Sequence, residues 1–163
     1  MSPSTFPRPS LTAPLVSIGS VMNTNANANV LIVNDDEAAL CSRQWELAAS
    51  GCSVLTTRTR KQLFDILNQQ AIDVVLMETC LPDADGAALI KAIKAQYPDT
   101  QIVVTTEFES LEAAKEAIRL GAHDYLVKPI LLDEIRRVVQ RAAMQKKWAL
   151  HRIPGQVSIP SIH

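Results

Sequence analysis

The chain has 163 residues, 47% of them hydrophobic and 20% charged, with a formal net charge of -1. At roughly 100–200 residues per domain this length buries one sizeable core and leaves a remainder, and the composition excludes wholesale disorder. Near neutrality gives no global pull toward nucleic acid or anionic membrane, aromatic residues at 4% leave little for base stacking, and three cysteines (Cys41, Cys52, Cys80) without ligand spacing exclude a disulfide framework or structural zinc.

Residues 1–28 contain Pro3, Pro7, Pro9 and Pro14, with Arg8 as their one charged side chain and no helical or strand period. They are expected to form a disordered tail. Arg8 before the apolar Leu11–Val21 imitates an export signal, but Pro14, Ser17, Gly19 and Ser20 dilute it, so a cytoplasmic location is expected. Met22, shortly before the first strand, is a candidate start. From Val30 onward strand and helix signals alternate. Val30–Val33, Ser53–Thr56, Asp73–Met77, Gln101–Thr105 and Asp124–Val127 are short runs dominated by β-branched and apolar residues. Helical periods fill 36–50, 59–70, 86–96, 110–120 and 131–150. This alternation predicts an α/β domain over 29–146, with a parallel sheet covered on both faces.

The fourth helix shows an apolar stripe of Leu111, Ala114, Ala117 and Ile118, and the last one a stripe of Leu131, Leu132, Ile135, Val138, Val139 and Ala142. Arg136, Arg137, Arg141, Lys146 and Lys147 make the outer surface of the last helix basic. Without a recognisable nucleic-acid motif, that surface reads as a solvated face or a protein contact. Trp45 on the first helix reads as packing and His123 as a surface residue. Residues 147–163 are expected to form an extension, a helix end followed by a loose segment with Pro154, Gly155 and Pro160. No output module fits after residue 150, so action through association with another protein is expected. No apolar run reaches the roughly 18 residues of a membrane helix.

Chemistry in such a sheet belongs at the carboxyl ends of the strands. There the sequence places Asn34-Asp35-Asp36-Glu37 after the first strand, Glu78 after the third, Thr106 after the fourth and Lys128-Pro129 after the fifth. Carboxylates from two loops suit a hard cation such as magnesium, and a hydroxyl and an ammonium can donate to phosphoryl oxygens. Asp83 and Asp85 read as turn and cap residues before Gly86.

Three stretches carry a family resemblance: Val30 to Glu37, Asp73 to Glu78 leading into Leu81-Pro82-Asp83-Ala84-Asp85-Gly86, and Leu120-Gly121-Ala122-His123-Asp124-Tyr125-Leu126-Val127-Lys128-Pro129. Over about 29–145 the chain resembles the receiver domain of bacterial two-component response regulators. The resemblance implies a flavodoxin-like (βα)5 three-layer sandwich with strand order 2-1-3-4-5, and no enzymatic activity of its own. It implies a phosphoryl group passed from a histidine kinase to an aspartate at the end of the third strand with Mg2+ present. It assigns Asp35 to the metal, with the backbone carbonyl of Cys80, and Thr106 and Tyr125 to the switch. Lys128 is assigned to phosphate contact, and its bond to Pro129 is cis in the family.

Two positions depart from the pattern. Asn34 stands where the family has its first acid, which removes an attraction of about 4 kcal/mol for a unit charge at ~4 Å and an effective dielectric near 20. Magnesium binding is therefore expected to be weak, with Asp36 as a partial substitute. Glu78 stands at the acceptor position. Its extra methylene is expected to push the carboxylate toward Lys128 and Thr106 and off the line that phosphoryl transfer needs. The expected function is a pseudo-receiver: a stand-alone receiver-like signalling domain, not phosphorylated at Glu78, whose partner is a histidine kinase or a downstream effector. Homodimerisation through the fourth helix, fifth strand and fifth helix is a further expectation, without membrane or nucleic-acid partners. Whether Glu78 holds an active-like state or is a neutral substitute stays open. The alternatives are a phosphorylatable regulator and, more remotely, a flavodoxin-like cofactor binder, whose phosphate the acidic first loop would repel.

Overall fold

The computed structural model describes residues 28–150. The expected N-terminal tail, apart from Ala28, and the segment after residue 150, with His151 and His163, lie outside them. In chain order the elements are β1 (Asn29–Val33), α1 (Glu37–Ala49), β2 (Ser53–Thr57), α2 (Arg60–Gln69) and β3 (Val74–Glu78), followed by α3 (Gly86–Gln96), β4 (Gln101–Thr106), α4 (Leu111–Arg119), β5 (Asp124–Val127) and α5 (Leu132–Leu150). A two-residue antiparallel pair, Cys80–Leu81 with Ala84–Asp85, lies between β3 and α3 and has no strand-length signal in the sequence.

The five strands form one parallel sheet in the order β2-β1-β3-β4-β5. Successive side chains of a strand point to opposite faces, and both faces are buried here. Leu31, Val33, Val75, Met77, Ile102 and Val104 pack with Leu63, Leu89 and Ile93 of α2 and α3. Val30, Ile32, Val74, Leu76 and Val103 pack with Leu40 and Leu47 of α1 and with Ile135, Val138 and Val139 of α5. That arrangement is why the strands read as near-continuous apolar runs, and each fully buried aliphatic side chain contributes roughly 1.5–3 kcal/mol.

The helix starts are fixed by side-chain caps at the carboxyl edge of the sheet. Asp36 accepts from the Ala38 and Ala39 N–H groups, Thr59 from Gln62, Asp85 from Ala88 and Ser110 from Ala113. Such caps are worth about 1 kcal/mol each. Asp83, expected only to shape a turn, accepts the Arg60 N–H at 3.0 and 3.1 Å and ties the β3–α3 segment to the start of α2. Gly121 follows α4 at φ 116°, where a Cβ would also meet the Lys94 Cγ at 3.0 Å.

Several single-residue expectations are corrected. Trp45 is 72% exposed. The inward side of α1 belongs to Leu40 and Leu47, and at about 100° per residue Trp45 falls about 140–160° away from both. Leu131 is 74% exposed because it precedes the first turn of α5, and Leu132 is exposed as well. In α4 only Ala117 is buried, while Leu111 and Ile118 face outward. Lys146, assigned to the basic outer surface, is buried. Its ammonium pairs with Asp73 Oδ1 at 3.3 Å and donates to the Ile72 carbonyl at 2.9 Å, while Asp73 Oδ2 accepts the Asn29 N–H at 2.8 Å. A counterion and a carbonyl at the amino edge of the sheet replace the water that a lysine ordinarily needs. His123 is half-buried, and burial pushes its imidazole below the usual 6.5. Ala28, placed in the tail, is a buried core residue whose carbonyl accepts the Ser53 N–H at 2.8 Å.

Candidate functional site at the carboxyl edge of the sheet

β1, β3, β4 and β5 deliver Asn34, Glu78, Thr106 and Lys128 to one edge of the sheet. At its centre Lys128 Nζ lies 2.9 Å from Glu78 Oε1, with 26% and 12% of the two side chains exposed. The same Oε1 accepts from the Thr105 hydroxyl at 3.2 Å. The Lys128–Pro129 peptide bond is cis.

Thr106 stands apart from this pair. Its hydroxyl oxygen accepts from the Thr79 hydroxyl at 3.2 Å and from the Phe108 N–H at 3.1 Å. Strand alternation explains the division. Glu78 and Thr105 are register partners on the face shared with Leu76 and Val103, whereas Thr79 and Thr106 follow the parity of Met77 and Val104 on the opposite face. The Glu78 carboxylate therefore reaches Lys128, as its length suggests, and meets Thr105 rather than the expected Thr106. Thr105 was missed as a site residue, although the Glu78–Thr105 register would have signalled it.

Tyr125 is half-buried on β5, and its hydroxyl donates to the Phe108 carbonyl at 3.4 Å. Phe108 itself is 71% exposed. Both polar groups of that residue are thus held by side chains of the two positions that the sequence assigns to a switch.

The metal-side residues are largely committed to the backbone. Asn34 is buried and its Oδ1 accepts the Asp36 N–H at 3.0 Å. Asp36 Oδ1 caps α1. Asp35 is exposed, and its backbone carbonyl accepts from Arg58 at 3.0 Å. Cys80 lies in the short antiparallel pair, opposite Asp85. Among the described residues no group of three His, Cys, Asp or Glu side chains could hold a metal ion. Magnesium keeps near-octahedral oxygen coordination through one or two carboxylates, phosphate oxygens and water. With Glu78 Oε1 given to Lys128 and Thr105 and Asp36 Oδ1 to the cap of α1, the Asp35 carboxylate is the one carboxylate of the set with neither oxygen committed, so this donor set does not fit a tightly held ion.

A cleft of about 230 Å³ opens beside the pair, lined by Ile32, Asn34, Ser42, Arg43, Thr105 and Lys128 among others. Sites that enclose drug-sized ligands run to roughly 300–1,000 Å³. Both cations of the cleft are already paired, Arg43 with Glu46 at 2.6 Å and Lys128 with Glu78. Nothing in this lining favours the flavodoxin-like cofactor reading.

A family model described as the response regulator receiver domain matches residues 30–140. The transcriptional regulatory protein ZraR of Escherichia coli (strain K12) is 32% identical over 119 residues, 73% of this chain and 27% of that protein. The DNA-binding transcriptional regulator NtrC of Klebsiella pneumoniae is 35% identical over 111 residues, 68% of this chain and 24% of that protein. The chain thus spans about a quarter of the length of these relatives. Among solved structures, the beryllofluoride-activated NtrC4 receiver domain dimer superposes with a TM-score of 0.69 at 27% identity, covering 72% of this chain and 98% of that one.

Proposed function

We propose, from the premise that this chain belongs to the response regulator receiver domain family, that it is a pseudo-receiver: a two-component signalling module that works by protein–protein contact without phosphorylation at Glu78. The observation that carries the reading is the Glu78–Lys128 ion pair at 2.9 Å. The lysine that would hold an incoming phosphoryl group already holds a carboxylate. The attacking oxygen nearest it also carries the Thr105 hydroxyl. Phosphoryl transfer depends on positioning and charge stabilisation, and an acceptor paired with Lys128 leaves that cation already neutralised when a phosphoryl group arrives. The metal side supports the same reading, since Asn34 contributes no charge and its amide oxygen closes a turn onto Asp36.

The partner is another signalling protein, a histidine kinase or a downstream effector, and the contact face is that of α4, β5 and α5. Phe108, bonded through its carbonyl to Tyr125 of β5, and Leu111 of α4 are 71% and 69% exposed, and Ile118 and Leu131 are exposed as well. Exposed apolar side chains of this size, where they form a contiguous patch, mark an interaction surface. Self-association through this face is part of the proposal, supported by the dimeric state named for the NtrC4 receiver. Magnesium binding is weak, resting on Asp35 and the Cys80 carbonyl, with Asp36 as a partial substitute whose Oδ1 is held by the α1 cap. No helix among the described residues is long and apolar enough to cross a membrane.

The test is magnesium-dependent binding of beryllofluoride to the native chain and to a variant carrying Glu78→Asp and Asn34→Asp, followed by the amide resonances around Thr106 and Tyr125. Only the double variant responds under this reading. A saturable response of the native chain supports the phosphorylatable alternative instead.

A further inference from the structure

Phe108, at the head of the exposed face, has its N–H bound by Thr106 Oγ1 at 3.1 Å and its carbonyl bound by the Tyr125 hydroxyl at 3.4 Å. Thr106 is 2% exposed and accepts a second hydrogen bond, from Thr79 Oγ1 at 3.2 Å. Thr79 is in turn a fixed anchor. Its N–H is bonded to the Thr105 carbonyl at 3.3 Å, and Gly86 packs so closely that an added Cβ would stand 2.9 Å from the Thr79 carbonyl oxygen. Neither of these backbone contacts involves the hydroxyl.

From this chain of contacts we infer that Thr79 is a positioning residue: its hydroxyl latches Thr106 in the rotamer that ties down Phe108, and so sets how the exposed face is presented. The latch is independent of the Glu78–Lys128 pair. Glu78 gives its Oε1 to groups on one side of the sheet, while Thr79 and Thr106 bond on the other, so the carboxylate beside the latch does not pull on it. Glu78 is thus neutral toward Thr106, and the default presentation of Phe108 is the latched one. This deepens the pseudo-receiver reading only in supposing that the Phe108 face is the contact surface; the latch itself needs no phosphoryl group.

The physical consequence is measurable at one amide. With the Thr79 hydroxyl gone, Thr106 loses one of the two bonds that fix its side chain, and the Thr106–Phe108 bond must hold alone. A net hydrogen bond of about 0.5–1.5 kcal/mol corresponds to roughly 2–12-fold in an opening equilibrium. Hydrogen exchange at the Phe108 amide is measured by NMR on the full chain, without magnesium or any phosphodonor. Thr79→Val is expected to accelerate it by about 3–10-fold, Thr79→Ser to leave it near the native rate, and Thr106→Val to accelerate it strongly. Adding Thr79→Val to Thr106→Val is expected to change nothing further. A native rate in Thr79→Val, an equal loss in Thr79→Ser, or additive effects in the double variant would each overturn the latch. If Thr79→Val fails to fold, Thr79→Ala against Thr79→Ser decides it: Ser must retain, and Ala must lose, protection at Phe108. Because no phosphoryl donor is present, the outcome is separate from whether Glu78 accepts phosphate.

Discussion

Replacing Glu78 by Gln and Lys128 by Met, singly and together, measures how firmly the acceptor position is occupied from within. At 2.9 Å and an effective dielectric of roughly 20, the bare attraction between the two charges is about 6 kcal/mol. Most of it is offset by desolvation, since only 12% of the carboxylate side chain and 26% of the lysine side chain remain exposed. Fully exposed pairs couple by about 0–1 kcal/mol, whereas removing one partner of a fully buried pair costs about 3–5 kcal/mol. The present pair lies between these limits, so a coupling of about 1–2 kcal/mol is expected from the double-mutant cycle. Glu78→Gln alone should cost about 1–2 kcal/mol, because a Gln can still accept from Thr105 and Lys128 but leaves the ammonium without a counterion. Urea denaturation followed by circular dichroism gives the four free energies. A coupling within about 0.3 kcal/mol of zero would mean that the pair is not a persistent feature in solution and would remove the reason for calling the acceptor position filled.

Lys146→Met should destabilise the domain by about 2–3 kcal/mol, a fall in Tm of roughly 6–10 °C by calorimetry, because it strips Asp73 and the Ile72 carbonyl of their shared donor. Pairing it with Asp73→Asn should recover part of the loss, and a fall below about 2 °C in the single variant would contradict the buried network. His123 supplies a pH dependence: burial lowers its folded-state pKa beneath the ordinary 6.5, so the unfolded chain binds the proton more tightly. Its contribution is fully present above pH 6.5 and is lost as the pH falls from there through the lower folded-state pKa. The native-minus-His123→Gln difference in stability should shrink across that window, and a difference independent of pH would refute the assignment.

The fold was legible because its signals agree across levels. Strand runs such as Val30–Val33 and Val74–Met77 are apolar on both faces because helices cover both, and the helices begin one residue after the polar caps Asp36, Thr59, Asp85 and Ser110. The positions of Glu78, Thr106 and Lys128 at one edge also follow from strand order, which brings distant segments together without any need to know side-chain detail. What was not legible depends on side-chain direction and on individual partners. Glu78 selects Thr105 over its neighbour Thr106 through the alternation of β4, which a reading at the resolution of strand ends does not separate. Lys146 reads as one more solvated charge because its partner Asp73 is far away in sequence, immediately before β3. Trp45, Leu111 and Leu131 looked like core because large apolar residues usually are, yet each lies on the outward side of its helix or just before it. In α4 the exposed Leu111 and Ile118 are the apolar side chains that the proposed contact would cover.

The most direct measurement is the intact mass of the native chain after incubation with magnesium and a small-molecule phosphodonor such as acetyl phosphate, with the Glu78→Asp, Asn34→Asp variant treated in parallel. The account predicts a phosphorylated species in the variant and none in the native chain. A stable phosphoryl adduct on native Glu78, mapped by peptide fragmentation, would contradict it.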